Sequence, residues 1–292
     1  MKNIFRTLLL LIPFGSLQAQ VSTTEIFLVD IIKKDKKVTY GKPVNITNRE
    51  GYDNQPEFSP DGKKLFYVSM PDTTQSELYE FVIADSTTNR LTETPESEFS
   101  PRYAPDGKTT TMVRVDADKT QRFYQFTDSP EDLYDLANGI DSVGYYCWIN
   151  DSIVGLAVLN NGMELYIYEV RNSQFIVLEK NVGRCLMALN SGNNLIYTRQ
   201  SGDAVTLMNY DLTQGESNFY AEGMKGVTDY ALAPDGKIYC GSEGKLYLMD
   251  PNGDKKWNEV ADFSKTIGNF YRLTASRDGK RLAMVGYKGK RP

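Results

Sequence analysis

One short phrase recurs along this chain at nearly constant spacing. It reads Phe58-Ser59-Pro60-Asp61-Gly62-Lys63, then Tyr103-Ala104-Pro105-Asp106-Gly107-Lys108, then Leu232-Ala233-Pro234-Asp235-Gly236-Lys237, then Ala275-Ser276-Arg277-Asp278-Gly279-Lys280. Two degenerate copies, Trp148-Ile149-Asn150-Asp151-Ser152 and Ala188-Leu189-Asn190-Ser191-Gly192-Asn193, fill the gap. Positions 61, 106, 151, 191, 235 and 278 are thus separated by 45, 45, 40, 44 and 43 residues. Self-similarity at this period, with several short strands inside each unit, is the signature of a β-propeller.

Each repeat reads as four strands. A first strand such as Gln55–Ser59 runs into the turn phrase, where Pro presets φ and Gly accepts a positive φ. A second strand follows at once (Lys64–Val68, Asn194–Thr198, Arg281–Val285). The third is an aromatic alternation, as in Glu77-Leu78-Tyr79-Glu80-Phe81 and Glu164-Leu165-Tyr166-Ile167-Tyr168. Period-2 alternation of aromatic and β-branched residues is the strand signal. The fourth is weaker, as in Asn89–Thr92 and Gln174–Leu178. Six turn phrases are followed by only five third strands, because the last repeat stops at Tyr287. The missing third strand stands at the other end of the chain, in Thr24–Asp30, and Pro43–Thr47 supplies the missing fourth. The expected fold is therefore all-β: a six-bladed propeller with four antiparallel strands per blade, its last blade completed by N-terminal strands. Such closure removes the free sheet edge of an open array.

Residues 1–19 read as a secretory signal peptide. Lys2 and Arg6 precede the apolar run Thr7–Phe14, and Leu17-Gln18-Ala19 offers a small residue at the cut. That run is too short to span a bilayer. Residues 20–292 then form a single propeller domain, periplasmic or secreted. Losing Lys2 and Arg6 takes the formal charge from −5 to −7. This dispersed acidity excludes nucleic acid as a partner, and no later segment is apolar enough for membrane insertion. Three cysteines (Cys147, Cys185 and Cys240) are too few for a disulfide framework and read as buried thiols.

The Phe-Ser-Pro-Asp-Gly-Lys phrase, the Leu-Phe-Tyr strand after it and the Glu-Leu-Tyr strand resemble the WD40-like repeats of the TolB family. The likeness covers the whole of residues 20–292, strongly in the first, second, fifth and sixth repeats. It implies a TolB-like propeller in the periplasm of a Gram-negative bacterium. TolB also has a separate domain before its propeller, for which this chain leaves no room, so its role in the Tol–Pal system is not carried over. Similar repeats occur in oligogalacturonate lyases and in prolyl oligopeptidase-type peptidases. The peptidase reading fails because no Gly-x-Ser-x-Gly elbow is present.

The chain contains no histidine. Ser-His-Asp and Cys-His catalysis and His-ligated metal are excluded with it, although carboxylate pairs could still act. Asp61, Asp106, Asp235 and Asp278 each precede Gly in a hairpin and read as turn residues rather than a carboxylate ring. Asp250-Pro251-Asn252-Gly253-Asp254 lacks the spacing of an EF-hand and also reads as a turn. No catalytic residue, metal ligand or cofactor is assigned. The candidate site is the channel mouth, built from residues leading into each first strand: Tyr52, Asp53 and Asn54; Glu96 and Glu98; Asp141 and Tyr145; Arg184; Asp229 and Tyr230; Asn269, Tyr271 and Arg272. This mixed polar and aromatic set suits recognition; the competing reading is ordinary solvated loops. The expected function is a non-catalytic protein-binding or envelope-assembly module, with a protein partner. The alternative is a carbohydrate- or peptide-acting enzyme or a glycan-binding protein.

Overall fold

The recurring phrase closes a hairpin held by its own side chains. Ser59 Oγ donates to Asp61 Oδ1 at 2.7 Å, the Lys63 amide donates to the same oxygen at 3.0 Å, and the Gly62 amide donates to the Ser59 carbonyl at 2.9 Å. Gly62 has φ 68°, the left-handed value that glycine adopts without penalty. Ser276 and Asp278 repeat the contact at 2.7 Å, and Asp106 accepts the amides of Lys108 and Thr109, each at 2.9 Å. The aspartates are turn caps. Asp250 and Asp254 do the same, accepting the amides of Asn252 and Lys256 at 3.0 and 3.1 Å.

The computed structural model describes residues 23–287, apart from 36, 73, 128, 130, 131 and 190. The signal peptide expected over 1–19 and the basic residues Lys288, Lys290 and Arg291 lie outside the described residues. Among the described residues every regular element is a strand, and no helix is long and apolar enough to cross a membrane.

The chain begins with β1 (Thr24–Lys34), β2 (Lys37–Tyr40) and β3 (Val44–Asn45). Next come β4 (Tyr52–Phe58), β5 (Lys64–Met70), β6 (Glu77–Val82) and β7 (Thr87–Arg90), paired antiparallel in sequence order. A four-stranded sheet follows of β8 (Ser97–Tyr103), β9 (Thr110–Val115), β10 (Gln121–Phe126) and β11 (Tyr134–Asp135). The next is β12 (Val143–Trp148), β13 (Ile153–Leu159), β14 (Met163–Glu169) and β15 (Gln174–Lys180). Another holds β16 (Val182–Ala188), β17 (Asn194–Ser201), β18 (Ala204–Asp211) and β19 (Glu216–Glu222). The last of this kind holds β20 (Tyr230–Leu232), β21 (Ile238–Ser242), β22 (Lys245–Met249) and β23 (Asn258–Asp262), before β24 (Phe270–Ala275) and β25 (Arg281–Tyr287).

The two ends of the chain share one sheet. β1 runs antiparallel to β25 over seven residue pairs, from Thr24 opposite Tyr287 to Asp30 opposite Arg281. β24 flanks β25, and β3 flanks β1. This group joins the β4–β7 group through a single parallel pair, Thr24 with Tyr52, giving the nine-stranded sheet of the topology. The expected third strand at Thr24–Asp30 is therefore present but longer, running to Lys34. The expected fourth, Pro43–Thr47, is reduced to Val44 and Asn45. The extra length of β1 folds back on β2 as a hairpin that leans on the neighbouring sheet. There the Tyr40 and Tyr239 hydroxyls meet at 3.2 Å.

The core lies between sheets. Ile26, Phe58, Leu65, Tyr67, Ala283 and Val285 pack the N-terminal strand and β25 against β4–β6. Val113, Phe123, Val143, Tyr146 and Leu156 join the β8–β11 sheet to the β12–β15 sheet. Face-to-face stacking of this kind is driven by apolar burial, and the fully buried rings of Tyr67, Tyr146, Tyr168 and Tyr197 supply much of the area. Inner first strands face a central channel, whereas the outer strands face water; in β15, Phe175, Ile176 and Val177 remain about half exposed.

Deleting residues 24–48 removes the partner of β25 and should produce aggregation or loss of cooperative melting, read by size-exclusion chromatography and calorimetry. A milder probe is Ile26→Ala, which should cost about 2–5 kcal/mol in urea denaturation because the side chain is fully buried. A deletion variant that stays monomeric and melts near the full-length temperature would refute closure by this strand.

Candidate functional site

Five of the strands that lead into the turn phrases carry a register shift beside the candidate residues. The shifts fall between Asn54 and Glu57, Phe99 and Arg102, Val143 and Tyr145, Val182 and Leu186, and Phe270 and Arg272. Gln55 and Ser100 take equivalent left-handed conformations, each with φ 54°. A bulge adds a residue to one strand and re-aims the side chains around it. This local geometry turns polar groups from the sheet face toward the channel.

At the starting end of the first strands these groups form one connected cluster. Asp229 is shared by two arginines: Arg184 Nε donates to Oδ1 at 3.0 Å, Arg184 Nη2 bonds Oδ2, and Arg272 Nε lies 3.3 Å from Oδ1. Arg272 Nη1 donates to Asn54 Oδ1 at 2.9 Å, and Asn54 Nδ2 donates to the Tyr271 hydroxyl. The guanidiniums also lie over aromatic rings, Arg184 at 5.8 Å from the Tyr271 centroid and Arg272 at 5.9 Å from that of Tyr145. Burial alone would raise the Asp229 carboxyl, but Arg272 and Arg184 outweigh it and hold the group below its ordinary value. Tyr52 sits within the field of the same arginines and tyrosines, and burial pushes its hydroxyl up to about 12.

The structure thus brings Tyr52, Asn54, Tyr145, Arg184, Asp229, Tyr271 and Arg272 together. Of the other expected site residues, Tyr230 also lines the channel and the rest lie elsewhere. Asp53 is fully buried and works inside the sheet junction: Arg49 donates to it at 2.6 and 3.2 Å, and its carbonyl accepts Thr24 Oγ1 at 2.9 Å. The Tyr230 ring packs on Trp257, and its hydroxyl accepts the Met224 amide at 3.0 Å. Asn269 is exposed in a loop, its carbonyl accepting the Tyr287 amide. Asp141 pairs with Arg122 at 3.0 Å beyond the channel. Solvated loops are the wrong picture for part of the set. Asp53, Asn54, Glu98, Tyr230 and Asp229 are buried, because the strands begin earlier than the turn phrase alone suggests.

Glu96 and Glu98 are a separate case. Glu98 is fully buried where β6 and β8 meet, beside Glu77. The Thr92 hydroxyl accepts the Leu78 amide at 2.9 Å, donates to Glu77 Oε2 at 2.7 Å and lies 3.2 Å from Glu98 Oε2. One hydroxyl has one proton, so the second contact is satisfied when Glu98 is itself protonated and donates. Burial, with the Glu77 charge adding to it against hydrogen bonds from Thr94 and Thr92, pushes Glu98 up to about 8. Glu96 contributes its carbonyl, which accepts from Gln75 Nε2 at 2.8 Å.

The channel has a volume of about 510 Å³. Besides Arg277, two of its charged residues, Glu57 and Arg102, were not among the sequence candidates. They occupy equivalent positions in consecutive repeats, four before the turn aspartate, and approach to 3.8 Å. Narrow walls raise the Glu57 carboxyl by desolvation, against the pull of Arg102 and Arg277. Arg277 stands where three other copies of the phrase carry proline. That departure was the available signal. Cys147 and Cys185 also line the channel as free thiols, and Cys240 is free and buried in β21. Burial pushes the Cys185 thiol up to about 12, which makes it a poor nucleophile at neutral pH.

No family model matches the chain. An uncharacterized protein of Agrobacterium fabrum is 25% identical over 132 residues, 42% of this chain and 44% of that protein. The match thus spans less than half of that relative. Among solved structures, a protein described as a putative TolB from Agrobacterium tumefaciens superposes with TM-score 0.68 at 13% identity, covering 92% of this chain and all of the other. TolB from Acinetobacter baumannii gives 0.59 at 15% identity, over 90% of this chain and 64% of that one. The fold is a TolB-like β-propeller. Other propellers of similar shape are named as an oligogalacturonate lyase, a gluconolactonase of Xanthomonas campestris and a puromycin-hydrolyzing peptidase of Mycobacterium tuberculosis. At such low identity the likeness is one of fold alone.

Two expectations follow for the propeller. Asp229→Asn strands two guanidiniums and should destabilise by about 3 kcal/mol in urea denaturation; a loss below about 0.5 kcal/mol would mean that channel water neutralises them instead. For Glu98, the folded value lies above the unfolded value of 4.5. Its stabilisation is therefore complete below about pH 4.5 and is lost as pH rises through about 8. Glu98→Gln, a neutral isostere, should flatten the decline in melting temperature between those limits. Parallel declines in the two proteins would show that Glu98 is not the titrating group.

Proposed function

We propose that the protein is a six-bladed, periplasmic or secreted propeller that acts as a non-catalytic recognition module, docking an envelope protein at the channel mouth. The blade count is supported by the four-stranded groups. Dividing the nine-stranded sheet at the lone Thr24–Tyr52 pair adds to the four separate sheets the group β4–β7 and the group β24, β25, β1 and β3, on which β2 is an additional hairpin strand. Six apolar clusters between successive groups agree with it. Placement outside the cytoplasm rests on the basic and apolar start of the chain and on the TolB-like fold.

The observation that carries the binding reading is the preformed cluster of Arg184, Asp229, Arg272 and Asn54, set beside the rings of Tyr52, Tyr145 and Tyr271. Tyrosine and arginine dominate the energetics of protein interfaces. Groups already fixed by mutual hydrogen bonds lose little entropy on docking. An enzymatic reading on a carbohydrate draws on the lyase and gluconolactonase among proteins of similar fold. Within the channel its acid would be Glu57, the carboxyl raised by desolvation, rather than the Glu96 and Glu98 expected from sequence.

The test is crosslinking in cells followed by purification, comparing wild type with the triple variant Tyr145→Ala, Arg184→Ala and Tyr271→Ala. Loss of one specific crosslinked envelope protein, with cooperative melting retained, is the expected result. Because Arg184 bonds Asp229, Tyr145→Ser alone serves as the mild control and should weaken capture without loss of fold. An unchanged crosslink pattern would move the docking face to the exposed apolar edge at β15. Turnover of glycans or peptides that disappears in Glu57→Gln would overturn the non-catalytic reading.

A further inference from the structure

The charges facing the channel do not balance. Its charged lining consists of Arg102, Arg184, Arg272 and Arg277 against Glu57 and Asp229, an excess of two positive charges. The whole chain carries a formal charge of −5, so this excess runs against the sign of the molecule. Asp229 serves two of the arginines, at 3.0 and 3.3 Å, and cannot neutralise both. The Arg102 guanidinium stands 3.8 Å from Glu57, too far for a good hydrogen bond. Arg277 is exposed, lines the channel and, among the described residues, has no ion pair of its own.

Uncompensated charge inside a narrow cavity is costly unless something pairs with it. Low-dielectric walls also focus the field and concentrate counter-ions. Guanidinium is the group best matched to carboxylate and phosphate, through two parallel N–H donors. The cavity of about 510 Å³ is of the size that holds a small ligand. The arginines stand in two places. Arg184 and Arg272 lie at the starting end of the first strands, whereas Arg277 lies within the turn phrase and Arg102 four residues before the turn aspartate Asp106.

We propose that the channel is a binding site for a small organic polyanion, one with at least two carboxylate or phosphate groups spaced to reach both arginine pairs. This site shares Arg184 and Arg272 with the partner surface proposed above, whereas Arg102 and Arg277 belong to it alone and are therefore the positions that test it separately.

The test is isothermal titration calorimetry on the purified chain at low salt with three probes: tricarballylate, pyrophosphate and the uncharged triamide of tricarballylic acid. One-to-one binding of at least one anion, with none of the triamide, is expected. A response to tricarballylate alone identifies a carboxylate ligand, and to pyrophosphate alone a phosphate ligand. Arg277→Gln should weaken binding about tenfold, the scale of one lost charge-assisted hydrogen bond. Arg277→Lys, which keeps the charge, should lose less. Because Arg277 has no ion pair to break, melting should be unchanged in both. Binding should also vanish near 1 M salt, where the screening length is about 3 Å. The proposal is overturned if neither anion binds, if the triamide binds as well as the anions, or if neither Arg277→Gln nor Arg102→Gln weakens the interaction.

Discussion

Everything in this molecule depends on the antiparallel ladder between β1 and β25. Seven residue pairs join the start of the described chain to its end, across more than 250 residues of sequence. Without it β25 would be a free edge and the clusters holding Ile26 and Val29 would each lose a wall. A stack of sheets in which each touches only its neighbours has no central core to compensate such a loss. The ladder also fixes the channel, since β24 and β4 are held side by side through β25 and β1. Arg272 on β24 can therefore bond Asn54 on β4 at 2.9 Å although 218 positions separate them.

Two kinds of polar burial coexist, and they do different work. Asp53 with Arg49, and Glu98 with Glu77, Thr92 and Thr94, are tucked into the junctions between neighbouring strands and groups. They satisfy buried polar atoms and set the packing there. The Arg184–Asp229–Arg272 cluster instead borders open space, where its surplus charge is available to a ligand. The same side-chain types thus serve as structure or as site according to which way the strand presents them. Bulges in the first strands decide that direction.

The repeat phrase made the strands, their hairpins and the closing strand legible. Turn chemistry is local: Asp61 finds its partners within two residues, and so does Asp278. The closing strand could be inferred from strand counting, although the β1–β2 hairpin could not. Lys33 and Lys34 give no apolar alternation, and the hairpin is held through Tyr40 meeting Tyr239 of another sheet. The site was legible only in part. Tyr145, Arg184 and Arg272, expected near the start of the first strands, line the channel. Glu57 and Arg102 escaped notice because they lie inside strands, where alternation alone does not say which face meets a cavity.

What the sequence by itself determined is the repeating strand–turn–strand unit and the need for Thr24–Asp30 to complete a sheet, because both rest on interactions within a few residues or on simple strand counting. What only the tertiary structure decided is which polar residues share one space. Asp229 lies between Arg184 and Arg272, contributed by three different sheets. The physical reason is that the channel exists only once the ring of sheets is drawn together, and its excess of positive charge is a sum over strands that no single repeat contains.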